Sequence, residues 1–207
     1  MLEIITDISF LKGIGTTLSL TFLSALLGTP LGLIMYMLSV KGFLVLRQIT
    51  KFLMWVISGL PAIVIIMSLY YYYYKDLKLG GFASALTGFV LAFAVETSRV
   101  IERYAVRING GKLAEDYRLL TIDGREFYGT LMKKKGRDIR YDLKANVINL
   151  LKYSSVVGYI AVYDMTKVFD TMRRDKLEVY MPLLATTIAY LIVIKLVEAL
   201  LNVAAKR

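Results

Sequence analysis

Five apolar stretches, at roughly residues 14–40, 43–74, 82–99, 145–163 and 180–203, constrain this chain more than any other feature. A membrane-crossing helix needs about 20 largely apolar residues, each rising about 1.5 Å. All five stretches reach or approach that length. Hydrophobic residues make up 57% of the chain and charged residues 20%, and the mean hydropathy is +0.59. A soluble domain carries more charge on its surface. The expected class is an all-α membrane protein of five transmembrane helices, one unit over residues 1–207. No internal period of 20–50 residues is present.

The chain has no cysteine and no histidine. Disulfides, thiolate metal sites and the usual Ser-His or Cys-His nucleophile pairs are therefore excluded. Gly110-Gly111-Lys112-Leu113 lacks the spacing and the Ser/Thr of a P-loop. A membrane enzyme is therefore the weaker reading, and no metal site is expected.

The stretches are not uniform. The second contains Gly59-Leu60-Pro61. Proline removes a backbone donor and clashes one turn back, so a kink or break is expected there. The third carries Glu96 and Arg99, and the fourth carries Lys152. An ammonium at the bilayer centre costs roughly 2.5–3.5 kcal/mol on insertion scales, so such residues face a cavity or a charged partner. Glu3 and Asp7 precede Lys12, and the apolar run that follows is too long for a signal-peptide core. Residues 14–40 therefore read as a retained first span. Tyr70–Tyr74 reads as an interfacial aromatic belt at the end of the second.

Charge orients the bundle. Lys41, Arg47 and Lys51 follow the first span. Residues 99–144 hold twelve Lys/Arg, among them Lys133-Lys134-Lys135. Residues 164–178 hold four Lys/Arg and four acidic residues, and the chain ends Lys206-Arg207. Alternate loops are thus Lys/Arg-rich, which the positive-inside rule reads as cytoplasmic. The N-terminus is expected outside and the C-terminus in the cytoplasm. This bias accounts for the net charge of +10, so no nucleic-acid partner is expected.

The loop at about 109–144 is too long for a simple turn. Leu113, Tyr117 and Leu120 recur at i, i+4 and i+7 between polar residues. That spacing predicts a short amphipathic helix, suited to docking a partner. A second helix is expected from about Glu126 into the basic cluster.

At "LLKYSSVVGYIAVYDMTK", residues 150–167, the chain resembles the permease subunits of polar amino-acid ABC importers. The family pattern there is close to LLK-[DNE]-T-S-[LIV]-V-x-x-I-A-[LV]-x-[ED]-L-T. Lys152, Ser155, Val157, Ile160, Ala161 and Thr166 match it, while Ser154 and Met165 depart from it. Counting back without a gap, Gly111 and Leu119 fall on the family's "G-Q-x-E-A-A-x-x-L-G" coupling motif. Ala114, Glu115 and Asp116 replace its E-A-A, and Leu120 its second glycine. "GTTLSLTFLSALLGTPLG" and "SGLPAIVII" resemble the first span and the "RGTPLLVQ" segment. The family's E-x-x-R matches either Glu96 to Arg99 with an insertion, or Arg99 and Glu102 in swapped order.

The resemblance implies a type I importer permease of MetI-like fold with cytoplasmic coupling helices, in a bacterial cytoplasmic membrane. It implies three kinds of partner: an ATP-binding subunit carrying ATP and Mg, a second permease, and an external amino-acid-binding protein. The divergent motif points to a heterodimer. Gly111, Leu113, Glu115, Asp116, Tyr117, Leu119 and Leu120 would couple to the ATPase. Glu96, Arg99, Lys152, Ser154 and Ser155 are the candidate pathway residues, because a zwitterionic amino acid needs both signs on the wall. Lys152 also admits a structural role near the inner boundary, and Lys195 with Glu198 reads as a local ion pair or interface contact. The alternative function is a scaffold or assembly subunit with no substrate site of its own.

Overall fold

The computed structural model describes residues 8–108, 124–160, 162–176 and 179–206. Seven α-helices occur among them. In chain order they are α1 (Ile8–Lys41), α2 (Leu44–Gly59), α3 (Ala62–Leu69), α4 (Gly80–Ile108), α5 (Gly124–Tyr153), α6 (Met165–Lys176) and α7 (Tyr180–Lys206). A π-helical turn, Tyr70–Tyr74, continues α3, and a 3-10 helix, Ser154–Ile160, continues α5.

Three helices are long and apolar enough to cross a membrane: α1, α4 and α7. The pair α2–α3 passes the same test only if taken together, and it is bent by 107°. Among the described residues that makes three spans, or four if the bent pair is one. The expected second span is thus broken at the anticipated place. Leu60 is extended (φ −100°, ψ 138°), as the residue before a proline must be, and Pro61 opens α3.

The fourth apolar stretch is not one α-helix. The helix that enters it starts far upstream at Gly124 and stops at Tyr153, where the backbone tightens into the 3-10 turn. Periodicity hid this boundary. The apolar pattern continues through Val156, Val157 and Ile160, while the serines at 154 and 155 turn their hydroxyls onto the helix's own carbonyls. Such local bonds compete with regular helix.

α1 and α4 form the centre of the bundle and run parallel. Leu20 clusters with Ala85 and Phe89, and further along Tyr36 clusters with Val100 and Tyr104. Between those levels a Cβ on Gly32 would strike the Ala94 carbonyl oxygen and meet Thr97 Cβ at 2.7 Å. Only glycine permits the two axes to come so close. Because α1 and α4 are parallel, residues 42–79 must return from one end of the bundle to the other.

α5 packs antiparallel to α4, with Arg103 paired to Asp142 at 3.4 Å and Phe93 clustered with Leu150 further along. α7 is in turn antiparallel to α5. Leu151 packs with Val193 and Val197, and Lys144 donates to Asn202 Oδ1 at 2.6 Å. Lys144 also reaches Glu198 Oε1 at 3.5 Å, and Lys195 pairs with Glu198 Oε2 at 3.1 Å. The expected Lys195–Glu198 pair is present, and Lys144 extends it across two helices.

Candidate functional site

Glu96 and Arg99 lie one turn apart on α4 and form an ion pair, Nη1 to Oε1 at 3.5 Å, with both side chains about half exposed. Around them the bundle leaves two depressions. Glu96 opens on a cavity of about 260 Å³ between α4 and α5, walled by Phe93, Asn146, Asn149, Leu150 and Tyr153. Arg99 lines a second, of about 400 Å³, with Glu102, Arg103 and Arg107. Either reading of the E-x-x-R pattern therefore places its acid and its base side by side.

Asn146 and Asn149 carry no expectation from the sequence. Their signal was two amides at i, i+3 within an apolar run, which puts both on one helix face. Asn146 Nδ2 is buried without a partner in the protein. A carboxylate and two amides around one cavity can accept and donate hydrogen bonds to a polar solute.

The stretch after α5 is built as a chain reversal. Lys152 sits in the last turn of α5, exposed. It is eight residues beyond Lys144, about 12 Å at helical rise. Its charge lies at the helix C-terminus, where the dipole favours cations. Ser154 is fully buried and donates to the Leu151 carbonyl at 2.7 Å. Ser155 donates to the Lys152 carbonyl at 3.0 Å. Ser155 also lines a third depression of about 380 Å³, with Tyr159, Thr166, Lys167 and Asp170. The five candidate pathway residues are thus distributed. Glu96 and Arg99 are paired and the two serines are adjacent, yet Glu96, Arg99 and Ser155 open on different depressions.

Asp164, absent from the sequence-derived candidates, organises the reversal. Its Oδ1 accepts the backbone N–H of Lys167 at 2.8 Å, and its carbonyl accepts that of Val168 at 3.1 Å. It is the N-cap of α6, and Asp three residues before the bonded amide is the signal that would have found it. The carboxylate is fully buried and Oδ2 lacks a protein partner. Burial pushes its pKa up to about 6, against the lowering effect of the Lys167 and Thr166 bonds. The cap is pressed onto α1. A Cβ on Gly13 would meet Val168 Cγ2 at 2.8 Å and the Asp164 carbonyl oxygen at 3.0 Å. Met165 N–H points at Thr17 Oγ1 at 3.4 Å, and Thr166 shares a hydrogen bond with Tyr190 at 3.1 Å.

Gly111, Leu113, Glu115, Asp116, Tyr117, Leu119 and Leu120 lie outside the described residues. Among the described residues no group of three His, Cys, Asp or Glu could hold a metal ion.

No protein-family model matches the chain. A curated relative, the probable amino-acid ABC transporter permease protein YckA of Bacillus subtilis (strain 168), is 25% identical over 156 residues, which are 75% of this chain and 69% of that protein. A solved structure, described as the crystal structure of an amino acid ABC transporter with histidines, superposes with a TM-score of 0.78 at 20% identity. It covers 96% of this chain and 94% of that one. The chain has the fold of an amino-acid ABC transporter chain. The structural likeness carries the fold, and the sequence relative supports the permease resemblance drawn from residues 150–167. In that permease-like fold, the residues of the recognised stretch hold the reversal between α5 and α6 against α1.

Proposed function

We propose that the chain, over residues 1–207, is a permease subunit of an ATP-binding cassette importer for polar amino acids. The observation that carries this reading is the match to an amino-acid permease along three quarters of the chain, with a fold to suit it. The chain crosses a bacterial cytoplasmic membrane five times: α1, the broken pair α2–α3, α4, the second half of α5 with its 3-10 extension, and α7. The alternating directions of α4, α5 and α7 and the parallel pair α1 and α4 support that count. The N-terminus lies outside and the C-terminus in the cytoplasm.

In this reading the subunit does no chemistry. An ATP-binding partner hydrolyses ATP with Mg and docks on residues 109–123, where Gly111, Leu113, Glu115, Asp116, Tyr117, Leu119 and Leu120 present the coupling surface. Motion is transmitted by rigid bodies, and α4 and α5, which flank that segment, are long helices. A second and different permease chain completes the pathway, and an external binding protein delivers the amino acid. Glu96, Arg99, Lys152, Ser154 and Ser155 belong to the pathway side of the subunit. Glu96 with Asn146 and Asn149 is the polar group best placed to meet a substrate.

The test is reconstitution in lipid vesicles with the ATP-binding, binding-protein and second permease partners. ATP-dependent uptake from a panel of labelled polar amino acids is the expected result. ATP hydrolysis without uptake of any of them would overturn the reading.

A further inference from the structure

The reversal between α5 and α6 closes over a carboxylate. Asp164 exposes no surface to solvent. Elements distant in sequence meet around it: Gly13 and Thr17 of α1, Gly158 of the 3-10 turn, Thr166 of α6 and Tyr190 of α7. The Tyr190 hydroxyl lies 3.1 Å from that of Thr166, within reach of Thr17 and Ser154. Thr166 in turn meets the Asp164 carboxylate. A group of hydroxyls therefore joins the reversal to α1 and α7.

Among the described residues no cation compensates that carboxylate. Lys167 gives it a backbone N–H, while the Lys167 ammonium turns to Asp170 Oδ2 at 3.7 Å. Arg173 and Arg174 pair with the same Asp170, at 2.9 and 2.7 Å. Lys12 of α1 is exposed and lines a groove with Phe82 and Tyr163. Lys152 is exposed at the end of α5. The 3-10 turn is uncharged, as are α4 from Gly80 to Val95 and α7 from Tyr180 to Ile194. Asp164 Oδ2 is left buried without a protein partner. A buried charge without a counter-charge is costly. That cost is relieved in one of two ways: the carboxyl takes up a proton, or the reversal opens and admits water.

We infer that Asp164 is a proton-operated latch: protonated, it holds the reversal and the start of α6 down on α1 and α7, and ionised, it releases them. In the closed form Oδ1 keeps the capping bond to Lys167, and a protonated Oδ2 becomes a donor to the hydroxyls beside it. In the open form the carboxylate is hydrated. Burial pushes the closed-state pKa up to about 6 from the ordinary 3.8. A pKa raised on closing stabilises the closed form in acid, and that stabilisation is lost as pH rises through about 4 to 6. The seam that opens is where Val168 presses on Gly13. Val168 is fully buried there with Phe10, Met165 and Ala185. On the proposed topology the reversal is at the outer face, so the pH it reads is that of the medium.

The chain has no cysteine, so Val168→Cys is a single buried reporter. Its alkylation by iodoacetamide is timed in the full chain in lipid nanodiscs, whose two faces share one buffer. Arg174→Cys, exposed on the same helix, gives the reference rate that removes the effect of thiol ionisation. The ratio of the two rates should rise about tenfold between pH 5 and pH 7, as titration between 3.8 and about 6 requires. In an Asp164→Asn background the ratio should be flat. Asp164→Ser, which also caps a helix without a charge, repeats the comparison if the asparagine variant misfolds. A flat or falling ratio with Asp164 present overturns the latch. An equal rise in the uncharged backgrounds also overturns it, by placing the titration on another group. The reporter needs no transport, so its outcome does not depend on the permease reading.

Discussion

Asp164 accepts the backbone N–H of Lys167 at 2.8 Å while its second carboxylate oxygen is buried with no protein partner. The cap wants an acceptor, but the site does not need a charge. Burial raises the folded-state pKa to about 6, so between about pH 4 and 6 the folded protein holds a proton that the unfolded chain releases. The stability cost of ionisation is absent below the unfolded value and grows as pH rises through about 4 to 6. Asp164→Asn keeps an acceptor and removes the charge. Across that window its thermal midpoint in detergent should gain on that of the wild type. Parallel profiles would show that Asp164 does not titrate there.

Gly13 and Gly32 test close approach at two levels of α1. Gly13→Val drives a side chain into Val168 and the Asp164 carbonyl, and Gly32→Val drives one into Ala94 and Thr97. Overpacking of this kind costs typically about 1–3 kcal/mol. Gly15→Ala, where a Cβ meets nothing within 4 Å, should unfold with the wild type. Equal midpoints for all four proteins would contradict the packing described for α1.

Lys144 and Lys195 both reach Glu198 but differ in surroundings. The Lys144 side chain is 13% exposed and that of Lys195 is 79%. Lys144 also holds Asn202. Lys144→Ala should cost about 1.5–3 kcal/mol, the range for hydrogen bonds to charged groups. Lys195→Ala should cost less than about 1 kcal/mol, as exposed pairs do. Thermal unfolding of the two variants decides, and the reverse order would exclude the α5–α7 link as a stabilising contact.

Topology is checked by single cysteines at Lys134 and Arg174, both exposed. With the N-terminus outside, an impermeant thiol reagent applied to intact cells should label position 174 and leave position 134 unmodified. The opposite pattern would invert the bundle.

Coupling is checked at Tyr117. Tyr117→Asp puts a charge into the apolar stripe expected from the i, i+4, i+7 spacing of Leu113, Tyr117 and Leu120. Copurification of the ATP-binding subunit should fall, or ATP hydrolysis should proceed without uptake. Unchanged copurification and unchanged uptake would remove Tyr117 from the docking surface.

The sequence by itself determined the class, because burial in lipid demands long apolar runs whatever their neighbours do. It located both ends of α7 and the start of α4 within a few residues, but α4 runs nine residues past the expected end at 99 and α1 starts six before the expected 14; it placed the break at Pro61, since a missing N–H is a local property. The stretch after Leu150 was legible as a pattern but not as a role. Ser154 turned out to bond its own helix, and Asp164, which falls on the pattern's acidic position but had been given no role, caps the next one. Only the tertiary structure decided that α1 and α4 pack against each other at glycine distance, that Asn146 and Asn149 share a cavity with Glu96, and that Lys144 reaches Glu198. These relations join residues 50 or more positions apart. Hydropathy and periodicity describe one helix at a time, and the contacts between helices depend on side-chain shapes that meet only when the bundle closes.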